Sequence, residues 1–370
     1  AHAVETIDLA LPAQPSIVIL PFATDGDAEH VNLARGLTHD VMTRIARTRS
    51  FFVIARGTAF SFAPGLHDAR EVSRKLGVRY VVQGNIQFSR TGLRVHAALA
   101  DATQGQELWA EGFQCGLDYM FETQEQITDQ IVSSISNEVE MAEQQRALLE
   151  TPANLDAWSA YHRGYWHMYR FNAADFEEAR RCFELSARLD PNLSRTYACL
   201  SFVHWQRAFL ELSGDRQGEL QRSLELAQQS VSLNPRDPLG HWALGRVHLL
   251  QGDMDDALGE LRTSTALNPS FAVGQYTLGF ALMQAGDTVH SIERADKAMR
   301  LSPYDPMGSA MMGVRAFSLA LRGDYRQSAQ LMSRGVRLPN AHYHLVAMAA
   351  VCEVLAGNDD AARAHFARVR

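Results

Sequence analysis

The residues best suited to chemistry in this chain are aromatic rings and arginines, and the chemistry they suit is recognition. Read as helices, the second half places Trp158, Tyr161, Tyr165, Tyr169, Phe202, Trp205, Trp242, Tyr276 and Phe280 on one side of successive helices. Rings gathered on one surface offer large contact area with few rotors to freeze. Arg195 and Arg246 fall on the same side, where a guanidinium could hold a carboxylate through two parallel hydrogen bonds. The same rings could equally serve only to pack helix against helix, and at this level both readings stand.

Residues for bond-making are harder to find. The chain contains no G-x-S-x-G, no phosphate loop, no H-E-x-x-H and no G-x-G-x-x-G, so no catalytic residue, cofactor site or metal site is expected and the chain does not read as an enzyme. Asp25-Gly26-Asp27 lacks the further ligands and closing glutamate of a calcium loop and reads as a turn. His342 and His344 are two apart, a spacing that points them to different sides of a helix and away from a shared metal. Asp40 and Glu71 are acids on expected helices, and solvated helix faces are their ordinary home. Cys115, Cys182, Cys199 and Cys352 form no C-x-x-C pair and read as reduced thiols of a cytoplasmic protein.

Composition excludes further classes. Lys+Arg 35 against Asp+Glu 42 gives a formal net charge of -7, the opposite of a nucleic-acid footprint. No apolar run approaches the roughly 18 residues that a membrane helix needs. The start, Ala1-His2-Ala3, has neither an initiator Met nor a signal pattern, which suggests a segment of something longer.

The elements that would position the rings announce themselves by repetition. Prolines fall at 191, 235, 269, 303 and 339, and ten residues after each stands a small residue: Ser201, Gly245, Gly279, Gly313 and Ala349. Turn signals follow at Gly214-Asp215, Gly252-Asp253, Gly286-Asp287, Gly323-Asp324 and Gly357-Asn358. Proline ends one hairpin, the small residue lets two helices approach, and glycine turns the chain between them. Such a pair cannot bury its apolar face alone and needs neighbours. The unit at 194–237 carries about ten extra residues around Glu211-Leu212-Ser213-Gly214, and this insertion near 207–218 could fold across the surface that bears the rings.

With Trp242-Ala243-Leu244-Gly245, Ala257-Leu258-Gly259-Glu260-Leu261 and Leu267-Asn268-Pro269, the pattern resembles the tetratricopeptide repeat family. The resemblance implies five to six helix hairpins over 151–370, with a concave groove that receives an extended peptide or a partner protein. The last unit, 342–370, is not followed by a capping helix.

Residues 16–150 show no such period and read as α/β in the order β-α-β-α-β-β-β-α, preceded by a linker over 1–15. Ser16–Phe22 is an apolar run closed around Pro21, and Phe51–Ala55 is a second strand. Tyr80–Phe88, Leu93–Ala100 and Glu107–Phe113 alternate as three strands joined at Arg90-Thr91-Gly92 and Ala102–Gly105. Helices are expected after the first strand, at 68–76, and at 117–148, the last striped by Ile127, Ile131, Ile135 and Val139. Thr151-Pro152 marks the boundary.

Leu20-Pro21-Phe22, Gly36-Leu37-Thr38-His39-Asp40, Leu76–Gly84 and Leu108-Trp109-Ala110-Glu111 make this half similar to the TolB-like amino-terminal domain. That resemblance implies a sensory or interaction role beside an effector outside the chain. The effector expected first is an OmpR-type winged helix, making the chain part of a cytoplasmic transcriptional regulator that touches DNA only through that domain. An adenylate cyclase or kinase effector, or a cell-envelope scaffold, are the alternatives. A homodimer is compatible with either half.

Overall fold

The structure, a computed structural model, describes residues 11–25, 27–89, 92–116, 120–151 and 154–369. Residues 1–10, Gly26, the turn residues Arg90 and Thr91, the expected helix start at 117–119 and Pro152 lie outside them. The chain divides into two compact units, Ala1–Trp158 and Ser159–Arg370.

The first unit is built on β1 (Ser16–Ile19), whose four residues are all buried. A strand buried on both faces reads as a continuous apolar run, as Ile17-Val18-Ile19 does. It pairs in parallel with β3 (Phe52–Val53) on one side and with β4 (Tyr80–Ser89) on the other. From β4 the sheet continues as an antiparallel meander through β5 (Gly92–Asp101) and β6 (Gln106–Gly116). The strand order is β3-β1-β4-β5-β6, with the two-residue β2 (Ala23–Thr24) also on β4.

Helices α1 (Ala28–Arg47), α2 (Arg56–Ala59), α3 (Ala69–Leu76) and α4 (Met120–Leu149) complete the unit. The order differs from expectation by β2 and α2, pieces too short to carry a periodic signal. Asp27 does not sit in an ion cage; its carboxylate caps α1, accepting from the backbone of Glu29 and His30 at 3.1 Å.

Phe22, Thr38 and Gly84, three of the residues that carried the resemblance, meet in and beside this core. The Phe22 backbone N–H donates to Thr38 Oγ1 at 3.0 Å, and that hydroxyl donates to the Ala34 carbonyl at 2.8 Å. A Cβ on Gly84 would lie 2.6 Å from the His96 carbonyl and 3.0 Å from the Phe22 ring. Close packing accounts for these three residues.

The second unit comprises helix hairpins α5 (Ala157–Met168) with α6 (Ala173–Leu189), α7 (Ser194–Phe209) with α8 (Arg216–Leu233), and α9 (Pro238–Gln251) with α10 (Met254–Leu267). They continue as α11 (Ala272–Gln284) with α12 (Thr288–Leu301), α13 (Gly308–Leu321) with α14 (Tyr325–Gly335), and α15 (Tyr343–Leu355) with α16 (Asp359–Ala367). Hairpins stack side by side as in tetratricopeptide solenoids. No helix of the described residues is long and apolar enough to cross a membrane.

Serines and glycines set the helix spacing. Ser201 and Ser223 each donate to the other's carbonyl at 2.8 Å, and Ser264 donates to the Pro238 carbonyl at 2.8 Å. A Cβ on Gly245 would come 2.7 Å from Leu261 Cγ, so the α9–α10 approach depends on its absence.

Candidate functional site

The first helices of the second to sixth hairpins contribute stripes to the inner face of this unit. On α7 the stripe is Phe202, Trp205, Gln206 and Phe209; on α9 it is Arg246, Leu249 and Leu250; on α11 it includes Tyr276, Phe280 and Met283. Spacings of three and four keep each set on one side of its helix. With Phe317 of α13 and His344 and Met348 of α15, they wall a cavity of about 660 Å³, a volume typical of small-molecule sites.

The repeat register explains which residues face inward. Phe202, Arg246, Phe280 and Val314 each follow the small residue of their repeat and all four line the cavity. Ser201, Gly245 and Gly279 are turned against their own second helices and Gly313 against Leu345 of α15; the successor, about 100° further round, is presented to the interior. Three of these four are apolar; Arg246 is the departure.

Arg246 is only 6% exposed. Its guanidinium carbon sits 3.8 Å from the Trp205 ring centroid and 4.8 Å from that of Phe202. Its Nη1 lies 3.5 Å from Thr277 Oγ1, while its Nε has no hydrogen-bond partner. Burial holds the guanidinium below its ordinary range, with the Tyr276 and Tyr169 hydroxyls pulling the other way. Cation–π contact offsets about 0.5–2 kcal/mol, against a desolvation cost of several kcal/mol for a buried ion. On α7, beside Trp205 in the sequence, Gln206 is 1% exposed and neither end of its amide has a partner.

Phe209 links two walls of the cavity. Its ring centroid is 4.8 Å from that of His344 and 5.6 Å from that of His342, so the second hairpin reaches the sixth. Helix α7 has 16 residues against 14 in α9 and 13 in α11, and the added length carries Phe209 to that contact. Phe209 and Leu210, at the start of the insertion, thus form part of the wall of this inner face.

The histidines also correct an expectation. His342 is the N-cap of α15 in an extended conformation, with ψ 161, so helical periodicity does not hold its ring away from His344; the ring centroids are 5.5 Å apart. Burial pushes His342 down to about 4 and lowers His344 as well. Both are neutral near pH 7, which leaves Arg246 as the formally charged side chain among the described lining residues. No group of three or more His, Cys, Asp or Glu among the described residues could hold a metal ion.

Of the other residues singled out from the sequence, Trp242 is core, 1% exposed, its indole Nε1 donating to Thr277 Oγ1 at 2.9 Å. Tyr161 is buried against Phe183, and its hydroxyl accepts from Arg195 Nε at 3.4 Å. Arg195 also lies 3.4 Å from the buried carboxylate of Asp237, so its acid partner comes from within the fold and not from a ligand. Tyr165 and Tyr169 are half-buried, their hydroxyls 3.5 Å apart, in a row of rings that continues to Phe202 without lining the cavity. Trp158 is half-buried at the start of α5 and outside the cavity.

In the first unit, Asp40 accepts from Gln124 at 3.1 Å and Glu71 pairs with Lys75 at 2.6 Å on the surface. Cys182, Cys199 and Cys352 are buried, and burial pushes the Cys182 thiol up to about 11. The side chain of Cys115 is outside the described set.

Comparison with known proteins adds the following. The chain matches no protein-family model. It is 33% identical over 235 residues to the Rhizobium meliloti (strain 1021) protein called "Putative adenylate cyclase 3", a match that spans 63% of this chain and 40% of that protein. Among solved structures it is similar to a monomeric IFIT1 mutant with Gppp-AAAA, at TM-score 0.51 and 14% identity, covering 69% of this chain and 60% of that one. At that identity the likeness is one of fold alone. A tetratricopeptide repeat protein from Parabacteroides merdae aligns at TM-score 0.38 and 18% identity over 57% of this chain and 78% of its own. The chain thus joins a small mixed sheet to a helical-repeat unit that resembles tetratricopeptide solenoids.

Proposed function

We propose that this chain is the ligand- and partner-binding regulatory region of a bacterial signalling protein whose effector lies outside it, and that the effector is a nucleotide cyclase. The observation that carries the binding role is the cavity: walls of aromatic and aliphatic side chains around one guanidinium suit capture of a molecule. The cyclase reading is supported by the relative named an adenylate cyclase, of which the chain spans 40%. The winged-helix effector expected from domain order has no comparable support. On its motifs the first unit is read as a TolB-like sensory domain, non-catalytic like the second, and a cyclase that consumes ATP would place both in the cytoplasm.

Control would come from occupancy. A ligand that binds one arrangement of the hairpins better than another shifts their populations by that difference in affinity, and the effector senses the shift. The gene sequence around this chain tests the assignment. A cyclase catalytic domain encoded in the same reading frame is the expected result; a DNA-binding winged helix in its place would overturn the cyclase reading.

A further inference from the structure

We infer that the cavity of the helical unit is a site for a small amphipathic monocarboxylate, an acyl or aryl acid whose head group meets Arg246 and whose apolar body lies along the rings. The inference rests on reading the inner face as the binding site, and it adds the chemical class of the ligand.

Three observations carry it. Arg246 occupies the register position held by Phe202, Phe280 and Val314 in neighbouring repeats, so packing alone would be served there by an apolar side chain. Its charge is buried with no carboxylate of the described residues paired to it, and Nε is left without a partner. A guanidinium in that state lacks the anion that would complete it.

Gln206 gives the second half of the head-group site. It lines the same cavity at 1% exposure with both amide ends unpartnered, and an amide N–H donated to the second carboxylate oxygen would satisfy it. The rest of the wall is apolar or neutral near pH 7, since burial and its neighbours keep His342 uncharged. One anionic group is therefore matched and a second would go unanswered.

The bridge from Phe209 to His342 and His344 favours a small molecule over a peptide. An extended chain would need an unobstructed path along the inner face, whereas a volume of about 660 Å³ crossed by this contact accommodates a compact ligand.

The test is calorimetric titration of the 370-residue chain with dodecanoate, dodecanol and dodecylammonium as probes. Dodecanoate is expected to bind at least about tenfold more tightly than dodecanol, the scale of one charge-assisted contact, with dodecylammonium weakest. Arg246→Met should erase the preference for the acid while retaining helicity by circular dichroism. If that variant does not fold, Met348→Trp, which narrows the cavity and leaves Arg246 in place, should abolish binding of both dodecanoate and dodecanol. Equal binding of acid and alcohol, no binding of the acid, or displacement of the acid by a peptide that binds more tightly would overturn the inference. Those results come from the isolated chain, so they are independent of which effector its gene encodes.

Discussion

Trp205 holds Arg246 from two directions. Its indole Nε1 donates to the Arg246 backbone carbonyl at 2.9 Å, and its ring lies 3.8 Å from the Arg246 guanidinium carbon. One ring thus ties α7 to α9 and forms the floor on which the cavity's charge rests. Trp242 repeats the first part of this arrangement one hairpin later, reaching Thr277 on α11.

Replacing Trp205 by Phe should keep the ring face and remove the donor. The loss of a buried hydrogen bond predicts destabilisation by about 1–2 kcal/mol, measurable by urea denaturation with an unchanged m-value. Trp205→Ala, which also removes the surface under Arg246, should cost about 3–5 kcal/mol.

The glycines of the repeat are not equivalent, and two substitutions separate them. Gly245→Ala puts a Cβ 2.7 Å from Leu261 Cγ and 3.2 Å from the Ala257 carbonyl, so it should destabilise by about 1–3 kcal/mol. Gly259→Ala, at an exposed helical position with open space around it, should stabilise by up to about 1 kcal/mol through helix propensity. Thermal melts of the two variants should move in opposite directions.

Glu211 takes the left-handed conformation, φ 54, where later hairpins place Gly252, Gly286, Gly323 and Gly357. The closing bond is the same in kind: Leu212 donates to the Arg207 carbonyl at 3.0 Å, as Asp253 does to His248. Relief of that strain predicts that Glu211→Gly gains up to about 1 kcal/mol, read from the denaturation midpoint.

His342 gives the fold a pH dependence of definite sign. Its folded value of about 4 lies below the ordinary 6.5, so the unfolded chain takes up the proton first. The stabilisation is complete above about pH 7 and is lost as pH falls from about 6.5 to 4, by up to about 3 kcal/mol. His204, also lowered by burial, works in the same direction, so the readout is the difference between the wild type and His342→Phe. The variant should lose less stability across that interval.

Much of the helical unit was legible because proline, small residue and turn glycine recur in register, and the position after the small residue predicts Phe202, Arg246 and Phe280 on the wall. Gln206 and Phe209 were reachable by extending the α7 stripe by one helical turn, and Val314 by carrying the register one repeat further. Closure of the cavity was not legible. It depends on the summed small rotations between hairpins, which no local pattern encodes, and on the extra length of α7, visible in the sequence only as an insertion. The fate of Arg195 was hidden for a similar reason, since Asp237, 42 residues away, becomes its neighbour only through stacking.

In the first unit the strands with long alternating runs, β4 to β6, could be read directly, whereas β2 and α2 are set by their neighbours. Thr38 and Gly84 stood out as motif residues, but their role at Phe22 required three dimensions.

The measurement that bears most directly on the bridged inner face is an intramolecular cross-link between its second and sixth hairpins. In Phe209→Cys/His344→Cys, whose wild-type ring centroids are 4.8 Å apart, a short bis-maleimide at low protein concentration should join the two peptides within one chain, as seen by mass spectrometry after proteolysis. Capping of each cysteine separately, with no joined peptide, would contradict the contact between the second and sixth hairpins.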